Sequence, residues 1–369
     1  MHRQLIIGIE TSCDETAAGI VDADGRLFAN VVATQAAVHA KFGGIVPEVA
    51  SRQHIRAIPA VVETALEHAD LDWRGIDAIA VTNGPGLAGS LMVGVNFAKG
   101  VAAASGKPLI AVNHLVGHVM AAFVRLPARP DDDDKNVICD SHAPVAEAIA
   151  DIGDSNLMCL IVSGGHTELV LAKRQGPTLD FTLVGETRDD AAGEAFDKAA
   201  RAIGLPYPGG PAIQNAAEGA SRSNVEPLPR AWLRGSMEFS FSGLKTAVIN
   251  RARREGIYPR SETDPPPDPQ IVSDISKAFQ DSVIDVLVVK TIEAARKYGC
   301  SAIVLVGGVA ANRPLREAMT QAAPLPVVTP PIPLCTDNGA MIARAGLDLY
   351  MDDRGHGYDL DVIPSLRIG

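Results

Sequence analysis

The chain of 369 residues is poor in aromatics, at 4%, and has five cysteines, Cys13, Cys139, Cys159, Cys300 and Cys335, with no C-x-x-C pair among them. An odd, scattered set excludes a disulfide framework and a cysteine zinc site, and it fits a reducing compartment. No apolar run is long enough to span a bilayer, and the first strand-like run, Leu5-Ile6-Ile7-Gly8-Ile9, is too short for the core of a signal peptide. A cytoplasmic protein without a membrane partner is therefore expected. Cations are in the minority, 33 Lys and Arg against 44 Asp and Glu, for a net charge of -11. That excludes a wholly basic nucleic-acid coat but leaves room for a local basic patch.

What is present is aliphatic: 47% of residues are hydrophobic, a composition suited to parallel sheets covered by helices. The 34 glycines imply many tight turns or places where a backbone meets a ligand. Strand-like runs repeatedly end in small polar or glycine-rich turns. The first leads into Glu10-Thr11-Ser12-Cys13-Asp14-Glu15-Thr16, and Val81 leads into Thr82-Asn83-Gly84-Pro85-Gly86. The pattern returns at Cys159 to Val162, followed by Ser163-Gly164-Gly165-His166-Thr167, and again at 302–306, followed by Gly307-Gly308 and Asn312. Backbone amides at such turns can cradle an anion, yet the glycine spacing is that of neither a P-loop nor a dinucleotide fingerprint. Repetition of strand, small-residue turn and strand at residues 5–21 and 159–171 implies two similar α/β domains facing across a cleft. We expect domains at 1–125 and 159–335, an acidic surface insertion at 126–158, and a last helix within 336–369 that packs back on the first domain. Ser51 is the expected cap of a helix bearing Pro59, and Asp337 the expected cap of the last helix.

His114 and His118 stand four apart after the run at 108–112, so on a helix they share one face. Two such imidazoles and one carboxylate make a metal shell with positions left open for substrate oxygens. Spacing alone does not choose the carboxylate among Asp14, Asp197 and Asp337. The residue after His114 is Leu115, so the pair lacks the glutamate that serves as base in an H-E-x-x-H peptidase. A metallopeptidase is thereby weakened. A kinase or ATP-driven switch is weakened too, since its magnesium prefers oxygen ligands.

The runs I-E-T-S-C-D-E-T (9–16), H-L-V-G-H (114–118), V-S-G-G-H-T (162–167), D-A-A-G-E-A-F-D-K (190–198), Y-P-G-G (207–210), F-S-G-L-K-T (241–246) and G-G-V-A-A-N-R (307–313), in that order, resemble the tRNA N6-adenosine threonylcarbamoyltransferase family. The resemblance spans nearly the whole chain and departs from it around 130–155. It implies an actin-like ATPase fold, shared with sugar kinases and heat-shock chaperones, of two related α/β domains around a cleft. It implies transfer of a threonylcarbamoyl group from threonylcarbamoyl-adenylate to the exocyclic amine of adenosine 37 in tRNAs that read ANN codons. By motif match, His114, His118 and Asp337 would hold one Fe(2+) or Zn(2+) per subunit. Ile161, Val162, Ser163, Gly164 and Gly165 would contact the substrate, Asp197 and Gly210 its ribose, and Asn312 its adenine. Asp14 and Glu15 are the candidate bases, with Asp14 preferred, and Lys245 is a candidate phosphate contact. The implied partners are tRNA, an inactive paralogue, a small P-loop ATPase and an upstream threonylcarbamoyl-adenylate synthase.

Overall fold

Strands Leu5–Glu10 (β1) and Ala78–Gly84 (β4) are buried along their whole length, so the sheet that contains them must be covered on both faces. In this computed structural model, which describes residues 4–127, 155–175, 178–221, 225–259 and 265–369, that sheet also holds Glu15–Asp22 (β2), Leu27–Thr34 (β3) and Leu109–Asn113 (β5). Its order is β3-β2-β1-β4-β5, with β2 antiparallel to both neighbours and β1, β4 and β5 parallel. The helices on this side of the chain are Ala36–His39 (α1), Pro47–His68 (α2), Ala88–Ser105 (α3) and His114–Ala121 (α4).

Alternation along the strands sorts these helices onto two faces. Ile7, Ile9, Ile79 and Val81 share a core with Ile58 and Val62 of α2 and with Val95 and Ala98 of α3. Ile6, Ala78 and Ala80 point the other way, into a core with Met120, Met341 and Ile342.

Further along come Asn156–Val162 (β6), Thr167–Gln175 (β7), Thr178–Glu186 (β8), Ala192–Ala202 (α5), Gly209–Ala217 (α6), Ser242–Arg254 (α7) and Pro269–Lys297 (α8). Cys300–Val306 (β9), Arg313–Ala322 (α9), Val327–Val328 (β10) and Gly339–Met351 (α10) complete the chain. The second sheet runs β10-β9-β6-β7-β8, with β6 parallel to β9. Its wiring repeats that of the first, a hairpin on one side and a parallel neighbour on the other. The chain splits into two compact units: the described residues of 1–155, 172–182 and 328–369 form one, and those of 156–171 and 183–327 form the other. Of the expected acidic insertion, residues 128–154 lie outside the described residues, as does Cys139. No described helix is long and apolar enough to cross a membrane.

Two expected caps are displaced. Helix α2 begins at Pro47, four residues before Ser51, because Pro47 has no N–H to lose at a helix start. Ser51 sits inside the helix, its hydroxyl donating to the Pro47 carbonyl at 2.8 Å, and Pro59 is carried in the helix interior. At the other end of the chain the cap of α10 is Asn338, not Asp337: Asn338 Oδ1 accepts from Met341 N–H at 2.9 Å.

Helix α10 lies directly on the backbone of β1 and β2. A Cβ on Gly8 would fall 2.5 Å from the Gly339 carbonyl oxygen, and one on Gly19 would fall 2.5 Å from the Gly339 carbonyl carbon. Three glycines from three elements thus meet backbone to backbone, which sets the height of the residues just before Gly339.

Candidate metal centre and glycine loops

The turn from β5 into α4 is capped by Asn113, whose Oδ1 accepts from Leu115 N–H at 2.9 Å, so His114 is the first helical residue and His118 lies one turn later. Gly117, between them, is where α4 approaches α10: a Cβ there would stand 2.7 Å from Ile342 Cδ1. Both histidines are buried, and their rings meet edge to face with centroids 4.7 Å apart.

Asp337, released from capping by Asn338, brings Oδ1 to 3.2 Å from His118 Nε2 and 3.7 Å from His114 Nε2. The three ligand atoms lie within 4.8 Å of one another, and all three residues belong to the first unit. His118 is the telling member. Neither of its ring nitrogens makes a hydrogen bond, although Asp337 Oδ1 stands near Nε2, and an orphaned polar atom at this depth is costly. Two nitrogens and one oxygen turned on a common point, one nitrogen with no other partner, fit a transition ion.

Glu10 was legible only as one of several carboxylates in a polar turn. It is fully buried at the end of β1 and takes part in fixing His114. Its Oε2 lies 3.0 Å from His114 Nδ1 and accepts from Thr82 Oγ1 at 2.6 Å, and its other oxygen accepts from Ser12 N–H. Holding Nδ1 leaves Nε2 of His114 aimed at Asp337, the carboxylate–histidine arrangement that orients a ligand ring.

Charge follows the same pattern. Burial pulls the His114 pKa down, but Glu10 and Asp337 outweigh it and raise it to about 9. Burial pushes Glu10 up, and the His114 cation with the Thr82 hydrogen bond more than offset that, so its pKa is lowered. Stability from the raised imidazole is full below its ordinary value of 6.5 and is lost as pH climbs through about 9; that from the lowered carboxylate is full above 4.5 and is lost as pH falls. Between pH 4.5 and 6.5 the pair is at full strength. Glu10→Gln is therefore expected to destabilise the metal-free protein most in that window and least above about pH 9, read by urea unfolding at each pH. The same variant is expected to weaken metal binding by about 10- to 100-fold, measured by competition with a chromogenic chelator.

Glu15 starts β2 and carries the opposite perturbation. Burial first, then the charges of Asp337 and Asp14, push its pKa up to about 10. That shift favours its neutral form in the metal-free site, where Oε1 accepts from Thr34 Oγ1 at 3.1 Å. Asp14, the neighbouring buried carboxylate, remains the candidate base.

A family model described as tRNA N6-adenosine threonylcarbamoyltransferase matches residues 26–131 and 135–344. The chain belongs to that family. Threonylcarbamoyltransferases from Dehalococcoides mccartyi, 46% identical over 98% of this chain and 99% of theirs, and Thermomicrobium roseum, 48% identical over 97% and 94%, are among its relatives. The Bacillus subtilis enzyme of that name is 46% identical over 98% of this chain and 95% of its own. Two solved structures share the fold. Full-length HypF in its phosphate- and nucleotide-bound form has a TM-score of 0.56 at 13% identity, covering 95% of this chain and 47% of HypF. Component A of (R)-2-hydroxyglutaryl-CoA dehydratase from Acidaminococcus fermentans has a TM-score of 0.50 at 14% identity, covering 93% and 98%. The fold is that of the actin-like ATPases.

The threonylcarbamoyltransferase motifs of the second unit gather around one loop. Ile161 and Val162 are buried at the end of β6, and Ser163, Gly164 and Gly165 follow. His166 N–H donates to Ser163 Oγ at 3.1 Å, closing the turn. A Cβ at Gly164 or Gly165 would meet nothing within 4 Å, whereas one at Gly193 would fall 2.6 Å from the Ser163 carbonyl oxygen. The loop is thus open on one side and backed by the start of α5 on the other. Asp197, on α5, accepts from Gly209 N–H at 2.7 Å, which places it beside Gly210 in the first turn of α6.

Asn312 is committed to the protein at both ends of its amide. Its Oδ1 caps α9 through Leu315 N–H at 3.0 Å, and its Nδ2 donates to Gln280 at 2.9 Å. Lys245 pairs with Asp190 at 2.8 Å, and Lys198 pairs with the same carboxylate at 2.6 Å. Slight burial opposes ionisation of Asp190, but the two lysines keep its pKa below the usual range. Nearby cations are paired as well: Arg230 with Asp285 and Arg254 with Glu226.

Proposed function

We propose that this protein transfers a threonylcarbamoyl group from threonylcarbamoyl-adenylate to N6 of adenosine 37 in tRNAs that read ANN codons. The observation that carries the reading is His118, its nitrogens unpartnered beside Asp337 in a chain of the threonylcarbamoyltransferase family. His114, His118 and Asp337 would hold one Fe(2+) or Zn(2+), a choice supported by the nitrogen-rich donor set. When bound, the ion supplies Lewis-acid stabilisation to charge that develops on the donor's carbamoyl group.

The chain's own residues do the rest. The donor is a mixed anhydride, so its carbamoyl carbon is already electrophilic. Adenine N6 lends its lone pair to the ring and is a poor nucleophile, so positioning must supply much of the rate. Ile161, Val162, Ser163, Gly164 and Gly165 would bind the donor, Asp197 and Gly210 its ribose, and the backbone near Asn312 its adenine. N6 attacks the carbamoyl carbon, the carbon–oxygen bond to phosphate breaks, AMP leaves with the electron pair, and Asp14 takes the N6 proton.

The functional division we infer is 1–125 with 336–369 on the metal side and 159–335 on the donor side. A net charge of -11 leaves tRNA phosphates to local cations or to other subunits. An inactive paralogue, a small P-loop ATPase and the adenylate synthase would be the working partners, in the cytoplasm. A magnesium-dependent switch is disfavoured by the two imidazoles. A peptidase is disfavoured because Glu10, the buried carboxylate at the pair, is engaged by His114 and Thr82.

The test is nucleoside mass spectrometry after incubation of the protein and these partners with threonine, bicarbonate, ATP and unmodified tRNA. Threonylcarbamoyladenosine is expected. Cleavage of casein with no modified nucleoside would sink the proposal.

A further inference from the structure

The first unit buries two more histidines that the metal site does not use. His54, on α2, and His39, at the end of α1, are both fully buried. His54 Nε2 lies 3.0 Å from the Cys13 carbonyl oxygen, and its Nδ1 lies 2.8 Å from Thr16 Oγ1 and 3.5 Å from Gln35 Nε2. A carbonyl only accepts, so Nε2 carries the proton and Nδ1 accepts.

The partners agree with that tautomer. Val46 N–H donates to His39 Nδ1 at 3.2 Å, and His39 Nε2 donates to Gln35 Oε1 at 3.1 Å. The remaining end of the Gln35 amide then points its N–H groups at Ala50 O and at His54. One orientation of each group satisfies every bond, with both imidazoles neutral.

This network ends on the turn that carries Asp14. Gln35 N–H donates to the Asp14 carbonyl at 3.0 Å, and Leu87 N–H donates to the Ser12 carbonyl at 2.8 Å. The peptide groups on both sides of the Asp14 α-carbon are therefore held, one by His54 through Cys13 and the other by Gln35.

We propose that His54 is a positioning residue: its Nε2–H bond to the Cys13 carbonyl fixes the peptide ahead of Asp14 and so aims the Asp14 carboxylate. The inference rests on the base role given to Asp14 in the proposed transfer. Without the donor, the half-buried Cys13 carbonyl loses this partner and the peptide ahead of Asp14 is held less firmly. A displacement on the order of 1 Å can cost about 100-fold in rate.

Two amide substitutions separate this role from packing. His54→Gln puts an N–H about where Nε2 stands. His54→Asn puts it near Nδ1, short of Cys13. Two readouts are taken on the full chain. One is kcat and KM for tRNA in the reconstituted reaction. The other is the rate at which iodoacetamide labels Cys13, read by peptide mass spectrometry; among the described cysteines the other three are buried, so Cys13 is the one that reports.

His54→Asn is expected to lower kcat at least about 10-fold with KM for tRNA unchanged within about twofold, and to label Cys13 at least about 10-fold faster. His54→Gln is expected to stay within about threefold of the wild type on both. Equal behaviour of the two amides overturns the proposal, and so does an Asn variant that loses its cooperative thermal transition while Gln keeps it. If the wild type makes no modified nucleoside, the transfer reading fails, while the labelling contrast still judges whether His54 holds the turn.

Discussion

His118→Ala is expected to leave the chain with less than about a tenth of its transition metal and to slow transfer by about 100- to 1000-fold, the usual scale for losing one preorganised electrostatic contact in a closed site. The size follows from the ligand set. With two nitrogens and one carboxylate, no described group stands ready to replace a lost imidazole. Folding should survive, because His118 has no hydrogen bond to lose, and removal of an orphaned buried nitrogen relieves a cost as it opens a small cavity. Elemental analysis of protein purified in parallel with His68→Ala, which alters an exposed histidine at the end of α2, separates loss of the site from loss of surface binding. Full metal content together with full activity in His118→Ala would remove the ion from the mechanism.

The second large effect is on the fold. Gly339→Ala would set a methyl group 2.5 Å from Ala18 Cα, against strand backbone that cannot yield as a side chain can. Overpacking of cores costs about 1–3 kcal/mol, and a backbone obstacle belongs at or above the top of that range. A fall of about 6 °C or more in the transition of the first unit is expected by calorimetry. Metal content should fall with it, since Asp337 lies two residues ahead of Gly339 and rides on the same approach of helix to sheet. A variant with the wild-type transition but no metal, or the reverse, would separate the two effects and contradict this coupling.

Part of the candidate site was legible in local periodicity. His114 and His118 share a helical face by spacing alone, and the strand runs with their small-residue turns announced a duplicated α/β design. The motif order pointed to the family that the comparisons then showed. The losses came where long-range packing decides. Asp337 looked like a cap because aspartate commonly caps helices, yet the neighbouring asparagine does so. Glu10 looked like one carboxylate in a polar tip. Its role depends on β1 lying beside β4, which brings Thr82 to it. Lys245 looked available to phosphate until α7 placed it against Asp190. Ser51 failed as a cap because a proline four residues earlier is the better helix start. His54 and His39 carried no local signal at all, since a buried polar network is visible only when three segments converge.

Helix α10 has a consequence for the order of events in making the molecule. The strands of the first sheet are made well before the helix that covers one of their faces and the aspartate beside it. Until then Ile6, Ala78 and Ala80 lack Met341 and Ile342 from their apolar core, and contacts of such long sequence separation close slowly. A chain cut before residue 337 would also lack the carboxylate of the candidate three-ligand centre.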